Sequence, residues 1–170
     1  MKDDSRKDRY MLRDRLGKEL LYFDGGMGTL LQERGLAPGE LPETWNVEHP
    51  AVIREIHRRY IEAGSDIVLT NTFGANALKF HDERCSLKEI VETAVGHVKE
   101  AVREAGAGRE IYTALDVGPT GKLLKPMGDL DFETAYEAFR EVMVMGEQAG
   151  ADLIHIETMS DTYELKAAVL

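Results

Sequence analysis

The sequence predicts an α/β fold in which four strand–helix units build a parallel sheet. Short apolar runs without polar alternation recur at intervals of a little over forty residues, and amphipathic stretches separate them. An uninterrupted apolar run is typical of a strand buried on both faces, as in a parallel sheet. Because each strand precedes a helix, the crossovers are expected to be right-handed.

The predicted elements follow in order along the chain. The strands share an apolar run that ends on polar residues, and they lie near residues 20–24, 66–70, 110–115 and 153–157. The first three helices share an apolar stripe at helical spacing and a following glycine suited to a left-handed cap, and they lie at 50–63, 87–105 and 132–149.

A fourth helix is predicted after Ser160-Asp161-Thr162, a segment typical of a helix N-cap, with Glu164 in its first turn. Since this pattern has barely begun at Leu170, we expect the sequence to be a fragment that stops within that helix. Residues 1–19 are predicted to be a charged N-terminal helix or extension, and 20–170 to be one folded unit.

Two architectures fit four strand–helix units. One is a small doubly wound sheet, and the other is the first half of a (βα)8 barrel of about 250 residues. In both, ligands bind at the carboxyl ends of the strands, so the polar residues there do not decide between the two.

Composition excludes several function classes. The 21 Lys and Arg against 31 Asp and Glu give a net charge of −10, which argues against nucleic acids and anionic membranes as partners. A single cysteine, Cys85, excludes an internal disulfide and a multi-cysteine metal site built from this chain alone. The sequence shows no secretory signal and no apolar run of about 18 residues, so we expect a cytoplasmic protein.

Two of the predicted strands lead into loops that could enclose a small polar ligand. Asp24-Gly25-Gly26-Met27-Gly28 follows the first strand, and its glycines permit a tight turn with free N–H groups that could receive a carboxylate or phosphate. The segment 70–76 follows the second strand and places hydroxyls, amides and Phe73 together. Ordinary turns that connect strands to helices would explain both segments equally well.

Three carboxylates, Asp24, Asp116 and Glu157, stand at the ends of three predicted strands. A partly desolvated carboxylate there requires a cationic partner, and an amino-acid ammonium would serve. General acid–base chemistry is a second possibility. The structural alternative is a salt bridge to Lys122 or Lys125, which we expect for Asp116 more than for Asp24.

Taken together, these segments resemble the homocysteine S-methyltransferase family, and above all the homocysteine-binding barrel of the cobalamin-dependent, methionine synthase type. The resemblance covers nearly all of the chain after residue 20. The matching segments share their order along the chain, and they read FDGGMGTLLQERG at 23–35, HP at 49–50, IHRRYIEAGSDIVLTNTFGAN at 56–76, DVGPTG at 116–121 and ADLIHIETMSDTYELKAA at 151–168.

The resemblance implies the N-terminal half of a (βα)8 TIM barrel that transfers a methyl group to a zinc-activated homocysteine thiol. Asp24 and Glu157 would hold the homocysteine ammonium, and the amides of Gly25 and Gly26 would receive its carboxylate. The two remaining residues carried over as lining the pocket are Thr72 and Phe73.

The resemblance also implies cofactors and partners. The family's zinc ligands are three cysteines on later strands, so zinc belongs to the full-length domain and no catalytic or metal residue is assigned here. Cobalamin would come from a partner domain, or the methyl group from another donor. Alone, the half-barrel is expected to be inactive and to self-associate through its exposed sheet edges.

Two other functions stay open at this stage. The chain could be a small non-catalytic α/β module that binds a ligand or a partner protein. It could also belong to a corrinoid-linked methyltransferase whose acceptor is not homocysteine.

Overall fold

A computed structural model describes residues 12–170 of the chain. The strands are Ile67–Leu69 (β1), Tyr112–Val117 (β2) and Leu153–Ile156 (β3). The α-helices are Leu12–Arg15 (α1), Met27–Glu33 (α2), Trp45–Glu48 (α3), Pro50–Ala63 (α4), Leu87–Ala105 (α5), Phe132–Ala149 (α6) and Thr162–Val169 (α7). A short 3₁₀ helix, Pro42–Thr44, precedes α3.

The three strands form one parallel sheet in the order β1-β2-β3. Ile67 is level with Tyr112, and Ala114 is level with Leu153. Spatial order therefore follows chain order, as it does in a (βα)8 barrel. A doubly wound sheet would reverse its strand order at a switch point, and no reversal occurs among residues 12–170.

The predicted first strand, near residues 20–24, is not formed as a strand. Among residues 12–170, its one ladder contact is an isolated parallel bridge between Phe23 and Ile67, supported by the hydrogen bond from the Asp24 N–H to the Ile67 carbonyl at 3.0 Å. Leu20, Tyr22 and Phe23 are exposed, because the segment has a sheet neighbour on one side only. The prediction of four strand–helix units is therefore not confirmed: the described residues hold three strands and this bridged segment.

The longer helices agree with the predicted ones. The α4, α5 and α6 helices occupy 50–63, 87–105 and 132–149, and each is followed by a glycine with positive φ. Only glycine adopts that conformation at little cost. The fourth predicted helix is α7, where the Asp161 side chain accepts a hydrogen bond from the Tyr163 N–H at 2.8 Å. The sequence did not predict α2, which begins within the glycine-rich turn.

The sheet has two different faces. On one face, β2 contributes Leu115 and Val117 to the main apolar core, together with side chains of α5 and α6. The α6 helix approaches so closely that a Cβ at Gly146 would lie 2.5 Å from Leu115 Cδ2. On the other face, Ile67, Tyr112 and Ala114 form a smaller cluster that includes partly buried leucines from the N-terminal segment. Helices thus cover one face, and the strand ends stay free for a site.

The N-terminal extension is described only in part. Residues 1–11 of the predicted 1–19 extension lie outside the described residues, and α1 is the helical part that is described. Arg15 of α1 lies over the Tyr112 ring at 5.7 Å from its centroid. The division into 1–19 and 20–170 stays a prediction. Within residues 12–170, no helix is both long and apolar enough to cross a membrane.

Candidate functional site

A cavity of about 400 Å³ opens where the strands end. Its walls come from the glycine-rich turn, the 3₁₀ helix, the carboxyl ends of β1 and β2 and the segments that follow β1 and β3. Five of the six residues singled out from the sequence line it, namely Asp24, Gly25, Gly26, Phe73 and Glu157. The parallel arrangement explains this convergence, because the carboxyl ends of parallel strands meet at one edge of the sheet.

Thr72 does not line the cavity. Its Oγ1 donates a hydrogen bond to the Asp116 carbonyl at 2.7 Å and lies 2.7 Å from Thr70 Oγ1. Thr70 Oγ1 in turn accepts a hydrogen bond from the Asp116 N–H at 3.1 Å. These bonds join the ends of β1 and β2 and fix the backbone that carries Asp116.

The glycine-rich turn is held by a tyrosine of α4. The Tyr60 hydroxyl donates a hydrogen bond to the Gly26 carbonyl at 3.2 Å. A Cβ at Gly25 would lie 2.8 Å from the same hydroxyl. A side chain at position 25 would therefore displace the Tyr60 hydroxyl, which holds the turn.

Sequence reasoning missed Glu43, which lines the cavity from the 3₁₀ helix. The side chain is 3% exposed, and its Oε1 accepts a hydrogen bond from the Gly74 N–H at 2.6 Å. Asn71, which belongs to the segment 70–76 singled out from the sequence, also lines the cavity, and its Nδ2 donates to the Pro42 carbonyl at 2.7 Å. No periodic pattern in the sequence marks a buried acid in a short 3₁₀ helix. The one available signal was that Glu43 stands two residues before Trp45.

Asp24 is a partly desolvated acid. Its Oδ2 accepts a hydrogen bond from the Leu69 N–H at 3.1 Å, while its buried Oδ1 has no partner among the described residues. Burial raises the pKa of Asp24 to about 7, and the charge of Glu157 adds to this rise, whereas the Leu69 hydrogen bond opposes it. A cation at Oδ1 would lower that pKa and stabilise the ionised form.

Asp116 differs from its expected role. The sequence favoured a salt bridge to Lys122 or Lys125, but in the part of the chain that the structure describes Lys125 pairs with Asp131 at 3.0 Å and neither lysine pairs with Asp116. The Asp116 side chain is 7% exposed, and its Oδ1 has no hydrogen-bond partner within residues 12–170. Burial, followed by the charge of Glu157, raises the pKa of Asp116 well above its ordinary value.

Four acids, Asp24, Glu43, Asp116 and Glu157, therefore line one cavity. Between residues 12 and 170, no Lys or Arg forms an ion pair with any of them. Buried acids without a counter-ion are costly, so the arrangement suits a ligand that brings positive charge. The polar strand ends and the Phe73 ring give the same cavity both hydrogen-bonding and apolar surface.

The described residues do not fit a zinc site. No group of three His, Cys, Asp or Glu side chains among them could hold a metal ion. Cys85 is buried in the segment before α5, outside the lining of the acidic cavity, and burial raises the pKa of its thiol. A thiol in that state is a poor metal ligand, because the thiolate is the form that binds metals.

The comparison with known families decides the relationship. The sequence model of the homocysteine S-methyltransferase family matches residues 21–170. The chain belongs to this family. The resemblance found in the sequence motifs is therefore confirmed, and it covers the whole acidic cavity.

Two curated relatives are methionine synthases. The chain is 33% identical to the protein from Mycobacterium tuberculosis and 32% identical to that from Mycobacterium leprae, over 168 residues in each case. These alignments cover 94% of this chain but only 14% of each relative. This chain thus spans only a small part of each of these two relatives.

Solved structures of the homocysteine methyltransferase MmuM from Escherichia coli share the fold. The oxidised form superposes with a TM-score of 0.78 at 26% identity, covering 92% of this chain and 59% of that chain. The metallated form gives a TM-score of 0.75 at 28% identity, covering 92% of this chain and 60% of that chain. The family relationship therefore extends to the arrangement of the sheet and its helices.

Proposed function

We propose that this chain forms the homocysteine-binding part of a methyltransferase of the methionine synthase type, which transfers a methyl group to the thiol of homocysteine. The observation that carries the proposal is the acidic cavity, in which Asp24 and Asp116 each keep a buried carboxylate oxygen that has no partner among the described residues. An amino acid supplies the missing positive charge through its ammonium. Family membership and the names of the relatives support homocysteine as that amino acid.

Asp24 and Glu157 are the proposed ligands of the ammonium. Both line the same cavity, and the charge of Glu157 adds to the rise that burial causes in the pKa of Asp24, which supports a single cation as the partner of both carboxylates. Asp24 is already oriented by the Leu69 N–H through Oδ2, which leaves Oδ1 for the ligand.

The turn at Gly25 and Gly26 is proposed to receive the homocysteine carboxylate. Both glycines are exposed to the cavity, and Tyr60 fixes their position. Phe73 supplies apolar surface for the ligand's methylene groups. Thr72 acts from outside the lining, because its hydroxyl holds the backbone of Asp116.

The chemistry of methyl transfer needs groups beyond these residues. Zinc would lower the pKa of the homocysteine thiol, and we propose that its ligands are not among the residues of this chain, since none of the described clusters fits a metal. Cobalamin is proposed to reach the site from a partner domain. We accordingly expect this chain, as the substrate-binding half of a (βα)8 barrel, to bind homocysteine without turning it over. A cytoplasmic location stays a prediction.

The proposal is tested by titration calorimetry with homocysteine and with 4-mercaptobutanoate, which has the same thiol and carboxylate but no ammonium. We expect homocysteine to bind and 4-mercaptobutanoate to bind at least tenfold more weakly, because an unpaired charged group in the site costs more than about 1.4 kcal/mol. Asp24→Asn should weaken homocysteine binding by a similar factor.

The matched control is Asp129→Asn, which makes the same chemical change at an exposed acid outside the cavity and should bind like the wild type. Equal binding of the two ligands would contradict the ammonium site. If homocysteine does not bind while another thiol or amine does, the alternative acceptor or the simple binding module becomes the better interpretation.

A further inference from the structure

Asp116 is an acid that the family resemblance leaves without a role. It stands near the end of β2, lines the cavity, and is 7% exposed. Its Oδ1 has no hydrogen-bond partner among the described residues. An ionised carboxylate that is buried without a partner is unstable, and the usual remedy is to keep a proton.

The groups that face Asp116 are mostly acids. Asp24 comes from the segment before α2, Glu43 from the 3₁₀ helix and Glu157 from the segment after β3, and the charges of all three raise the pKa of Asp116. His155 of β3 is level with Asp116 in the sheet, and its ring packs 4.7 Å from the phenylalanine ring that precedes Asp24.

The nearest lysines do not compensate these charges. Lys79, in the segment after β1, lies 5.1 Å from the centroid of the Phe73 ring and forms no ion pair within the described residues. On the segment after β2, Lys125 pairs with Asp131. On α7, the buried acid Glu164 is occupied by hydrogen bonds from Thr120. The cavity therefore holds several acids and no fixed cation among residues 12–170.

We propose that Asp116 holds a proton while the cavity is empty, and that an amino-acid ammonium entering the cavity displaces this proton to solvent. The inference rests on the proposed function, because the ligand is homocysteine or its methylated product. Only an O–H bond breaks: the carboxyl group gives its proton to the buffer, and the ammonium keeps its three protons. The positive charge of the ligand takes the place of the charge of the proton.

This exchange makes amino-acid affinity depend on pH. Below neutrality the proton competes with the ammonium for Asp116, so affinity falls as the pH falls. This pH dependence of affinity comes from the Asp116 carboxyl group and not from the homocysteine thiol. It is therefore expected also for an amino acid that has no thiol.

The test is titration calorimetry with L-methionine in two buffers of different ionisation enthalpy near neutral pH. Methionine carries an ammonium but its sulfur has no proton to lose. We expect roughly one proton released for each methionine bound to the wild-type chain. Asp116→Asn should bind methionine with less than half of that release, and Asp129→Asn should match the wild type.

A second measurement examines the empty cavity. The infrared spectrum of the free chain should show the C=O stretching band of protonated carboxyl groups near neutral pH, and the part of this band that Asp116 contributes should disappear in Asp116→Asn and on addition of methionine. Asp24, with its pKa of about 7, contributes the remainder. Asp129→Asn should keep the whole band.

The outcomes separate the inference from the proposed function. Binding of methionine without proton release, or with equal release in Asp116→Asn, overturns the inference and leaves the proposed function intact. Failure of both homocysteine and methionine to bind overturns the proposed function. In that case the infrared band still decides whether Asp116 is protonated, and its absence from the wild type overturns the inference as well.

Discussion

Glu43 and Gly74 are joined by a short hydrogen bond, in which the Gly74 N–H donates to Glu43 Oε1 at 2.6 Å. The bond connects the 3₁₀ helix to the segment that follows β1, across the rim of the acidic cavity. A Cβ at Gly74 would lie 2.7 Å from the same oxygen, so the two residues fit each other closely.

Removal of this contact should loosen the rim. Glu43→Ala leaves the buried Gly74 N–H without an acceptor, and we expect it to lower the free energy of unfolding by about 1–3 kcal/mol in urea titrations. Glu43→Gln is the matched control, because its carbonyl oxygen can still accept the bond, and it should lose less than half as much. Equal losses would show that the charge of Glu43, and not its hydrogen bond, stabilises the rim.

The sequence predicted those parts of the fold that local patterns determine. Three strands, the long helices with their glycine caps and the N-cap at Asp161 were visible as apolar periodicity and turn chemistry. The strand predicted near 20–24 is not confirmed, because an apolar run does not reveal whether a neighbouring strand is present on both sides. Here Phe23 has one neighbour, Ile67, and forms a single bridge.

The candidate site was predictable to a similar extent. Residues adjacent to strand ends, such as Asp24 and Glu157, could be found because parallel strands place their ends together. Glu43 could not be found, since it reaches the cavity through a loop whose path depends on tertiary contacts. The salt bridge expected between Asp116 and Lys122 or Lys125 is not formed, because closeness in sequence does not determine the direction of a side chain. Lys125 pairs with Asp131 instead.

Tyr60 should affect both ligand binding and stability. Its hydroxyl holds the Gly26 carbonyl at 3.2 Å, and Tyr60→Phe removes that bond while keeping the ring. We expect a loss of about 0.5–1.5 kcal/mol in stability. Homocysteine affinity should fall severalfold, because the proposed carboxylate-binding turn is released. Calorimetric binding and urea unfolding on the same variant measure the two effects.

The control for that variant is Tyr163→Phe, which removes a hydroxyl from a half-exposed side chain outside the cavity. It should leave homocysteine affinity unchanged. A Tyr60→Phe variant that binds homocysteine normally would contradict the role given to the glycine-rich turn.

His57 should make the protein sensitive to acid. The ring is fully buried in α4, and neither nitrogen has a partner among the described residues. Burial, and secondarily the charge of His97, lower the pKa of His57 from 6.5 to about 3. The folded state therefore keeps His57 neutral, whereas the unfolded state takes up a proton below about pH 6.5.

The sign of the effect follows from that difference. The contribution of His57 to stability is complete above the unfolded pKa and is lost as the pH falls towards the folded pKa, by about 1.4 kcal/mol per pH unit. His57→Leu should remove this slope, so that its advantage over the wild type grows to about 2 kcal/mol near pH 5. His81→Leu, at an exposed histidine, should keep the wild-type slope. Parallel pH profiles for His57→Leu and the wild type in urea unfolding would refute the assignment.

Self-association is expected because the sheet leaves apolar side chains uncovered along both of its borders. Tyr22 and Phe23 are exposed on the bridged segment beside β1, and Ile154 is 43% exposed on β3, which pairs on one side only among residues 12–170. An open edge that carries apolar side chains favours pairing with another copy.

Ile154→Lys places a charge on the β3 edge and should shift the distribution towards monomer in sedimentation velocity. Leu123→Lys, at an exposed leucine in the loop after β2, should not. A wild-type chain that sediments as a monomer at every concentration would show that these borders do not drive association, and a shift produced equally by both variants would assign the effect to net charge instead of to the strand edge.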